Sequence, residues 1–287
     1  MKGGDPNQTH RAAPPARDSS LSYAGRKLQM NIARFTRTAL AGAAALLVAG
    51  SALAAGQWRV ATEGTFPPFE FYNSATGEVQ GFEVDLVRAM AKKMDKDLKL
   101  ETMGFDAIIP AILSGTIDTG AAGFSITPER AKRVLFSIPF YKSGLTIVVP
   151  KDNKAGIKDF KDLEGKRISV QLGTTSMAFA KKIKGAHVTT FNSAGDALLN
   201  MIAGNADAVI NDKPVTDYIL VQNKNIAEAT THLKPIATAD LFAMVTAKSN
   251  TALKAEMDKA LKELKADGTF EKLHQKWFGV SADPELP

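Results

Sequence analysis

Segments with the length and composition of β-strands alternate with segments of helical periodicity along most of the chain. In residues 82–94, for example, an apolar side chain recurs at every fourth position from Phe82 to Met94, which gives a helix one apolar face. Such alternation is typical of α/β proteins, in which open, mainly parallel sheets have helices on both faces. Two successive series predict two lobes, and the carboxyl ends of their strands can face one another across a central ligand cleft.

The first series covers residues 58–122 and the second covers residues 167–222, and two helices follow near the C-terminus. The predicted strands are Trp58–Thr62, Leu98–Thr102, Thr116–Ala122, Arg167–Leu172, His187–Phe191 and Ala206–Ile210. The predicted helices are Phe82–Met94, Asp106–Leu113, Thr175–Lys182, Ala194–Ala203, Pro214–Gln222, Thr251–Lys265 and Phe270–Trp277.

Residues 30–54 have the three parts of a cleaved signal peptide. Arg34 and Arg37 supply positive charge, residues 39–50 are apolar, and Ala52-Leu53-Ala54 fits the cleavage site. The alternative is a transmembrane helix over residues 38–55, but this segment is rich in Ala and Gly and no stop-transfer charge cluster follows it. We therefore expect residues 55–287 to be exported to the periplasm.

Two further features bear on the N-terminal region. Ser51 stands where a lipoprotein would have its cysteine, so we expect a periplasmic protein without a lipid anchor. Residues 1–29 are polar and show no helical or strand period, which indicates a disordered extension. They are alternatively a wrongly assigned start, because Met30 opens a complete signal peptide by itself.

Charge and composition exclude several classes of protein. Seven of the 36 basic residues but only two of the 30 acidic residues lie in residues 1–54, so most of the formal charge of +6 belongs to the leader. A nearly neutral mature chain argues against a nucleic-acid partner, and zero cysteines exclude disulfides, cysteine-ligated zinc and a thiol nucleophile. No phosphate-binding, dinucleotide, zinc-protease or nucleophile-elbow motif occurs, so the sequence predicts no cofactor and no metal and identifies no catalytic residue. Acid–base catalysis by carboxylates stays open, because it needs no motif.

Polar groups that suit an α-amino acid lie at the ends of predicted strands. Arg130 offers a planar fork to a carboxylate, and Asp212 offers a carboxylate to an ammonium. Thr174, at a helix N-terminus, and Gly123 add backbone groups. The candidate apolar walls are Phe66 and Phe105.

Each of these residues also has a simpler interpretation. Arg130 could form a surface ion pair with Glu129 or Asp118, and Asp212 could cap a helix. The two phenylalanines could belong to the core. A ligand site is favoured because the residues recur together at strand ends in both lobes.

The chain also contains five motifs that match a known family. They are Gly81–Met94 (GFEVDLVRAMAKKM), Pro68-Phe69-Glu70, Ile126–Arg130 (ITPER), Gly173-Thr174-Thr175 and Asp267–Phe270 (DGTF). Across residues 57–279 the chain resembles the periplasmic polar amino-acid-binding proteins of ABC importers, the type II solute-binding family. The resemblance implies a monomer of two lobes that closes over a free L-amino acid and delivers it to an ABC permease in the inner membrane.

The resemblance also implies where the lobes and the site lie. The chain should cross between lobes near 140–144 and 237–242, so that lobe 1 is 55–141 with 241–287 and lobe 2 is 142–240. Arg130 should bind the ligand carboxylate with the Thr174 N–H, and Asp212 the ammonium. Ala122 and Ser125 should help to hold the ammonium end, and Gly123 and Thr175 should belong to the ligand shell. Phe66 and Phe105 should bracket the ligand side chain.

The resemblance assigns ligand specificity to Glu63, Gln171 and Asn211. A buried carboxylate at Glu63 disfavours acidic and apolar ligands and favours a donor, either a glutamine amide or a cation. Well-known glutamine binders have Lys in place of Gln171 and His in place of Asn211, so Glu63 here lacks that positive neighbour. We predict glutamine, by the likeness of Asn211–Pro214 to glutamine binders, with arginine, lysine and histidine as close alternatives.

Two other functions fit the same scaffold. Periplasmic cyclohexadienyl dehydratases resemble this family and would use a cleft acid on a dicarboxylic substrate, although Glu63 and Asp212 argue against such a substrate. A sensor ectodomain is disfavoured because no later transmembrane or signalling segment is found in the sequence.

Overall fold

The computed structural model describes residues 56–286. The predicted extension (1–29) and signal peptide (30–54) lie outside the described residues. Within residues 56–286, none of the helices combines the length and the apolar character that crossing a membrane would need.

The described chain forms fifteen short strands and nine α-helices, with a 3₁₀ turn at Phe160–Leu163. The strands are β1 (Gln57–Thr62), β2 (Thr65–Phe66), β3 (Glu70–Tyr72), β4 (Val79–Gln80), β5 (Asp97–Thr102), β6 (Thr119–Gly120), β7 (Val134–Phe136), β8 (Tyr141–Ser143), β9 (Leu145–Pro150), β10 (Arg167–Gln171), β11 (His187–Phe191), β12 (Ala208–Asp212), β13 (Thr230–His232), β14 (Asp240–Phe242) and β15 (Val245–Ala247). The helices are α1 (Phe82–Lys93), α2 (Phe105–Leu113), α3 (Pro128–Ala131), α4 (Thr175–Ala180), α5 (Ala194–Ile202), α6 (Lys213–Gln222), α7 (Lys224–Ala229), α8 (Thr251–Ala266) and α9 (Thr269–Phe278).

Two five-stranded sheets form the cores of the two lobes. Their strand orders are β5-β1-β6-β15-β7 and β11-β10-β12-β9-β13. In the first sheet β1 is parallel to β5 and β6, and β15 is antiparallel to β6 and β7. The second sheet repeats this arrangement, with β10 between its parallel neighbours and β9 between its antiparallel ones. The predicted two-lobed α/β fold is confirmed, and each sheet is mixed because β9 and β15 enter directly from the crossing strands.

The chain crosses between the sheets at β8 and returns at β14. These two strands pair antiparallel, with Tyr141 opposite Phe242 and Ser143 opposite Asp240. Both lie within the segments in which the crossings are predicted. The residue bounds of the lobes, 55–141 with 241–287 and 142–240, remain our proposal.

The local sequence explains why α1 forms in lobe 1 and how it is held in place. Phe82, Leu86 and Met90 of α1 are completely buried on one face, as the fourfold spacing predicts. The Phe82 and Glu83 N–H groups donate to the Pro68 and Phe69 carbonyls at 2.8 and 2.9 Å. The first turn of α1 is thereby fixed to the segment before β3.

Two predicted strands differ from those observed, and one difference concerns site residues. The segment 116–122 forms a strand only at Thr119–Gly120, because the N–H groups of Thr116 and Ile117 donate back to the Ala111 carbonyl at the end of α2. The strand predicted at 206–210 is β12, which ends at Asp212. Asn211 and Asp212 lie inside it because they pair with Thr146 and Leu145 of β9, the antiparallel neighbour of β12.

Candidate functional site

Eleven of the twelve predicted site residues line one cavity between the two sheets. The cavity is small and is lined by both polar and apolar groups. The lining residues are Glu63, Phe66, Phe105, Ala122, Gly123, Ser125, Arg130, Gln171, Thr174, Thr175 and Asp212.

Asn211 does not line this cavity. Its side chain is buried, and its amide donates to the Thr216 hydroxyl at 3.2 Å. The Asn211 carbonyl accepts from the Thr146 hydroxyl at 3.3 Å. Asn211 therefore packs behind the strand that ends at Asp212, because neighbouring residues of a strand point to opposite faces.

Glu63 follows β1 and is buried at one end of the cavity. Its Oε1 accepts from the Gln171 amide at 2.7 Å and from the Thr65 hydroxyl. Burial raises the pKa of Glu63, and these two hydrogen bonds partly offset that rise. Both bonds end on Oε1, which leaves acceptor capacity on Oε2 for a ligand.

Arg130 follows the Thr127 cap of α3. Its guanidinium donates to the Ser125 carbonyl at 3.0 Å and to the Gly173 carbonyl at 3.2 Å. Burial lowers the pKa of Arg130 to about 10, with Asp212 acting in the opposite direction. The side chain is therefore still cationic at neutral pH and has donors left for a carboxylate.

Two stacked rings support the Arg130 guanidinium. Its Cζ lies 5.3 Å from the ring centroids of both Phe105 and Phe124. These rings stack on one another at 4.6 Å with an interplanar angle of 26°. Contact with the faces of aromatic rings fixes a guanidinium in orientation and contributes a cation–π attraction.

The simpler interpretations of Arg130 are contradicted by its neighbours. Glu129 pairs with Lys132 at 3.0 Å on the surface. Asp118, which immediately precedes β6, pairs with Arg59 at 2.6 Å. Within residues 56–286, no carboxylate lies within salt-bridge distance of Arg130.

Asp212 is the last residue of β12 and immediately precedes α6. It does not cap that helix through its side chain. Instead its Oδ1 accepts from the Ser143 hydroxyl at 2.8 Å. Burial raises the pKa of Asp212 to about 7, and the Ser143 bond and Arg130 moderate the rise.

Two backbone positions complete the lining. Gly123 has φ +59°, and an added Cβ would lie 2.6 Å from the Phe66 ring, so only glycine fits there. Thr174 caps α4 by accepting from the Met177 N–H at 3.1 Å, as its place before the helix predicts.

Two hydrogen bonds of site residues join the lobes. The Gln171 amide of the second lobe reaches Glu63 of the first lobe, and Arg130 of the first lobe reaches the carbonyl of Gly173 in the second. The cavity is therefore enclosed by residues whose relative positions depend on the arrangement of both lobes.

Several residues that support the site could not be, or were not, identified from the sequence. Ser143 lies in a crossing strand, and no local pattern identifies it as the donor to Asp212. Phe124 could have been found, since it follows Gly123 in the same turn and lies two positions before the ITPER motif. Glu83 contacts the Gly123 N–H at 2.8 Å from a helix, which only the tertiary arrangement reveals.

Comparisons with known proteins identify the family. Residues 58–280 match the family described as bacterial extracellular solute-binding proteins, family 3. The chain belongs to this family. The resemblance inferred from the five motifs is therefore confirmed.

Three relatives show how similar this solute-binding protein is to known proteins. The putative ABC transporter arginine-binding protein 2 of Escherichia coli is 33% identical, over 82% of this chain and 97% of the relative. The structure of an ancestral arginine-binding protein bound to arginine is 40% identical, covers 79% of this chain and 100% of its own, and has a TM-score of 0.74. An ancestral arginine-binding protein bound to glutamine is 39% identical, covers 78% and 99%, and has a TM-score of 0.71.

Proposed function

We propose that this protein is the periplasmic substrate-binding component of an ABC importer and binds a basic L-amino acid, arginine first. The observation that carries this proposal is the charge of the cavity, which contains the carboxyl groups of Glu63 and Asp212 against the single guanidinium of Arg130. A small cavity with this set of groups suits an amino acid that brings one carboxylate and two cationic groups.

The charges can be matched group by group. Arg130 can hold the ligand carboxylate with two parallel hydrogen bonds. Asp212 can hold the ammonium. If all three side chains are ionised, a zwitterionic ligand leaves the Glu63 carboxylate without an opposite charge, and a buried unpaired charge is costly. A second cation on the ligand removes that cost.

Glutamine is the second candidate. Its amide could donate to Glu63 Oε2, and Gln171 already donates to Oε1 at 2.7 Å. Glutamine, the ligand predicted from the sequence, stays a prediction, and an arginine-binding relative with glutamine bound supports keeping it. We rank arginine first because a guanidinium supplies charge as well as hydrogen bonds, and all three relatives described above are named as arginine-binding proteins.

The proposed mechanism is closure of the two lobes about β8 and β14. A ligand that contacts Arg130 from one side and Asp212 from the other favours the closed arrangement over the open one. The closed monomer then docks on its permease and releases the amino acid chemically unchanged. Export through a cleaved signal peptide, without a lipid anchor, is part of the same proposal.

A ligand panel tests the proposal. Isothermal titration of the purified protein with the common L-amino acids should give arginine the lowest dissociation constant, with lysine, histidine and glutamine weaker. Mass spectrometry should recover arginine intact after incubation. If none of the basic amino acids or glutamine binds, the proposed function is wrong.

A single variant tests the part played by Glu63. Glu63→Gln keeps the shape of the side chain and removes its charge, so arginine should lose at least tenfold in affinity while glutamine changes less. Glu78→Gln, on an exposed residue, is the matched control and should leave both constants unchanged. An unchanged ratio of arginine to glutamine affinity in Glu63→Gln would contradict the charge-matching explanation.

A further inference from the structure

Two glutamates that the proposed function does not use are buried together behind the ligand site. Glu70 lies in β3 and Glu83 in the first turn of α1, and each has 0% of its surface exposed. The hydrogen bonds from the Phe82 and Glu83 N–H groups to residues 68 and 69 bring the two elements together. The two carboxyl groups lie close enough for each to influence the pKa of the other.

The polar partners of this pair are few. Glu83 Oε2 accepts from the Gly123 N–H at 2.8 Å. Within residues 56–286, the other three carboxyl oxygens of the pair have no donor from any other group. Buried polar atoms are nearly always hydrogen-bonded, so this concentration in one place needs an explanation.

A proton supplies the missing donor. Two adjacent carboxylates in a buried site repel one another, and neither could then donate to the other. If one carboxyl retains its proton, it donates an O–H···O bond to its neighbour, and such a bond is short and strong when the acceptor is ionised. Glu83, at the N-terminus of a twelve-residue helix and bonded to an N–H, is the better acceptor.

We propose that Glu70 and Glu83 form a buried acid pair that holds at least one proton at neutral pH and positions the Gly123 turn of the ligand site. Glu70 donates to Glu83, and Glu83 holds the Gly123 N–H. Glu83 is therefore a positioning residue, since it acts on the ligand through Gly123, which lines the cavity. Only this effect on ligand binding rests on the proposed function.

The position of Gly123 makes this support necessary. Its φ of +59° brings the backbone close to the Phe66 ring. Ala122 and Ser125, which flank Gly123 within two positions of it, line the same cavity. A turn held from behind by a buried carboxyl keeps these groups in place while the cavity is empty.

The surroundings of the pair favour protonation. Burial is the largest cause that raises the pKa of Glu70 well above its usual range, and Glu83 and Glu63 raise it further. Burial also raises the pKa of Glu83 to about 8, against the Gly123 hydrogen bond. The helix α9 packs against α1 and carries one titratable histidine, His274. Its ring contacts the Phe82 ring, and its Nδ1 hydrogen-bonds to the Val280 carbonyl at 2.8 Å.

The sign of the pH effect follows from these directions. Between about pH 5 and pH 8 the folded pair holds more protons than the same groups in the unfolded chain. The folded state therefore loses stability as the pH rises through this window, by up to tenfold in the unfolding constant per pH unit for each retained proton.

Chemical unfolding of the ligand-free protein at pH 5, 6, 7 and 8 tests the pair. In Glu70→Gln the side-chain amide replaces the protonated carboxyl as donor to Glu83. We therefore expect the factor by which the unfolding constant rises per pH unit to be at least threefold smaller than in the wild type. Glu78→Gln, on an exposed residue, should keep the wild-type slope. A wild-type slope in Glu70→Gln would overturn the proposal, and other titrating groups cancel in this comparison.

Ligand affinity tests the positioning role. Glu83→Gln keeps an acceptor for the Gly123 N–H and should bind arginine within threefold of the wild type, whereas Glu83→Met removes it and should bind at least tenfold more weakly. Equal affinity in the two variants would overturn the positioning role. If Glu83→Met does not fold, the slopes of Glu70→Gln and the wild type decide. If the wild type binds no amino acid, the proposed function fails while the unfolding slopes still test the pair.

Discussion

Replacement of Arg130 by Met removes the guanidinium that we propose binds the ligand carboxylate. Methionine keeps an apolar, unbranched side chain against Phe105 and Phe124, so the stacked rings remain covered. The variant loses the hydrogen bonds to the Ser125 and Gly173 carbonyls, at 3.0 and 3.2 Å. It also loses the only cation among the residues that line the described cavity.

The size of the effect can be worked from these contacts. Removing one partner of a buried, hydrogen-bonded charge pair costs about 2–5 kcal/mol of binding, because the other charge is left buried and unpaired. At about 1.4 kcal/mol for each tenfold change, the dissociation constant should rise on the order of 30-fold to several thousandfold. Arg130→Lys keeps the charge and loses the planar fork, so we expect an intermediate loss of roughly 5- to 30-fold.

Isothermal titration with arginine measures both variants at pH 7, where the Arg130 guanidinium is charged. Thermal unfolding without ligand shows whether each variant is folded. A folded Arg130→Met variant whose dissociation constant is within threefold of the wild type would refute the assignment of Arg130 to the ligand carboxylate. An amino acid amide has no carboxylate, so its affinity should not depend on a carboxylate-binding Arg130. If Arg130→Met lost affinity equally for arginine and for the amide, the assignment of Arg130 to the ligand carboxylate would also be refuted.

Three further predictions concern the groups around Asp212 and Gly123. Because burial raises the pKa of Asp212 to about 7, its carboxyl must lose a proton before it pairs with an ammonium. Titrations should therefore show the dissociation constant of arginine rising by up to tenfold per pH unit from pH 7 to pH 5. The same pH dependence in Asp212→Asn would contradict this. Ser143→Ala removes the 2.8 Å donor to Asp212 and should weaken arginine binding by roughly tenfold, so an unchanged constant would show that the bond does not matter. Gly123→Ala places a Cβ 2.6 Å from the Phe66 ring and should lower the unfolding free energy by about 2 kcal/mol. Scanning calorimetry should detect this as a melting temperature that is lower by roughly 4–8 °C. A wild-type melting temperature would contradict the close approach.

Much of the fold could be predicted from periodicity. The bounds of β1, β5, β10, β11 and the larger helices agree with their predictions to within about two residues. The short strands β2, β3 and β4 were missed, because two or three residues carry too little period to be distinguished from a loop. The strand predicted at 116–122 was too long, since a local hydrogen bond from the Thr116 N–H back to Ala111 of α2 overrides its composition.

The site divides in the same way. Arg130, Asp212 and Glu63 could be chosen from their chemistry and from motifs, because charged residues after strands have a limited number of uses. Asn211 could not be judged in that way. Its exclusion from the cavity depends on the register of β12 against β9, where a shift of one residue would exchange the faces of Asn211 and Asp212.

The sequence by itself determined the two-lobed α/β class, the family, and the kinds of group that line the cavity. These follow from local periodicity and from short motifs, which need no knowledge of distant contacts. The tertiary structure alone decided that Gln171 donates to Glu63 across 108 positions of sequence and that Glu83 holds Gly123 across 40. It also left Glu70 and Glu83 buried side by side. Burial and long-range hydrogen bonds set the charge of a carboxyl group, and neither can be read from the residues that flank it.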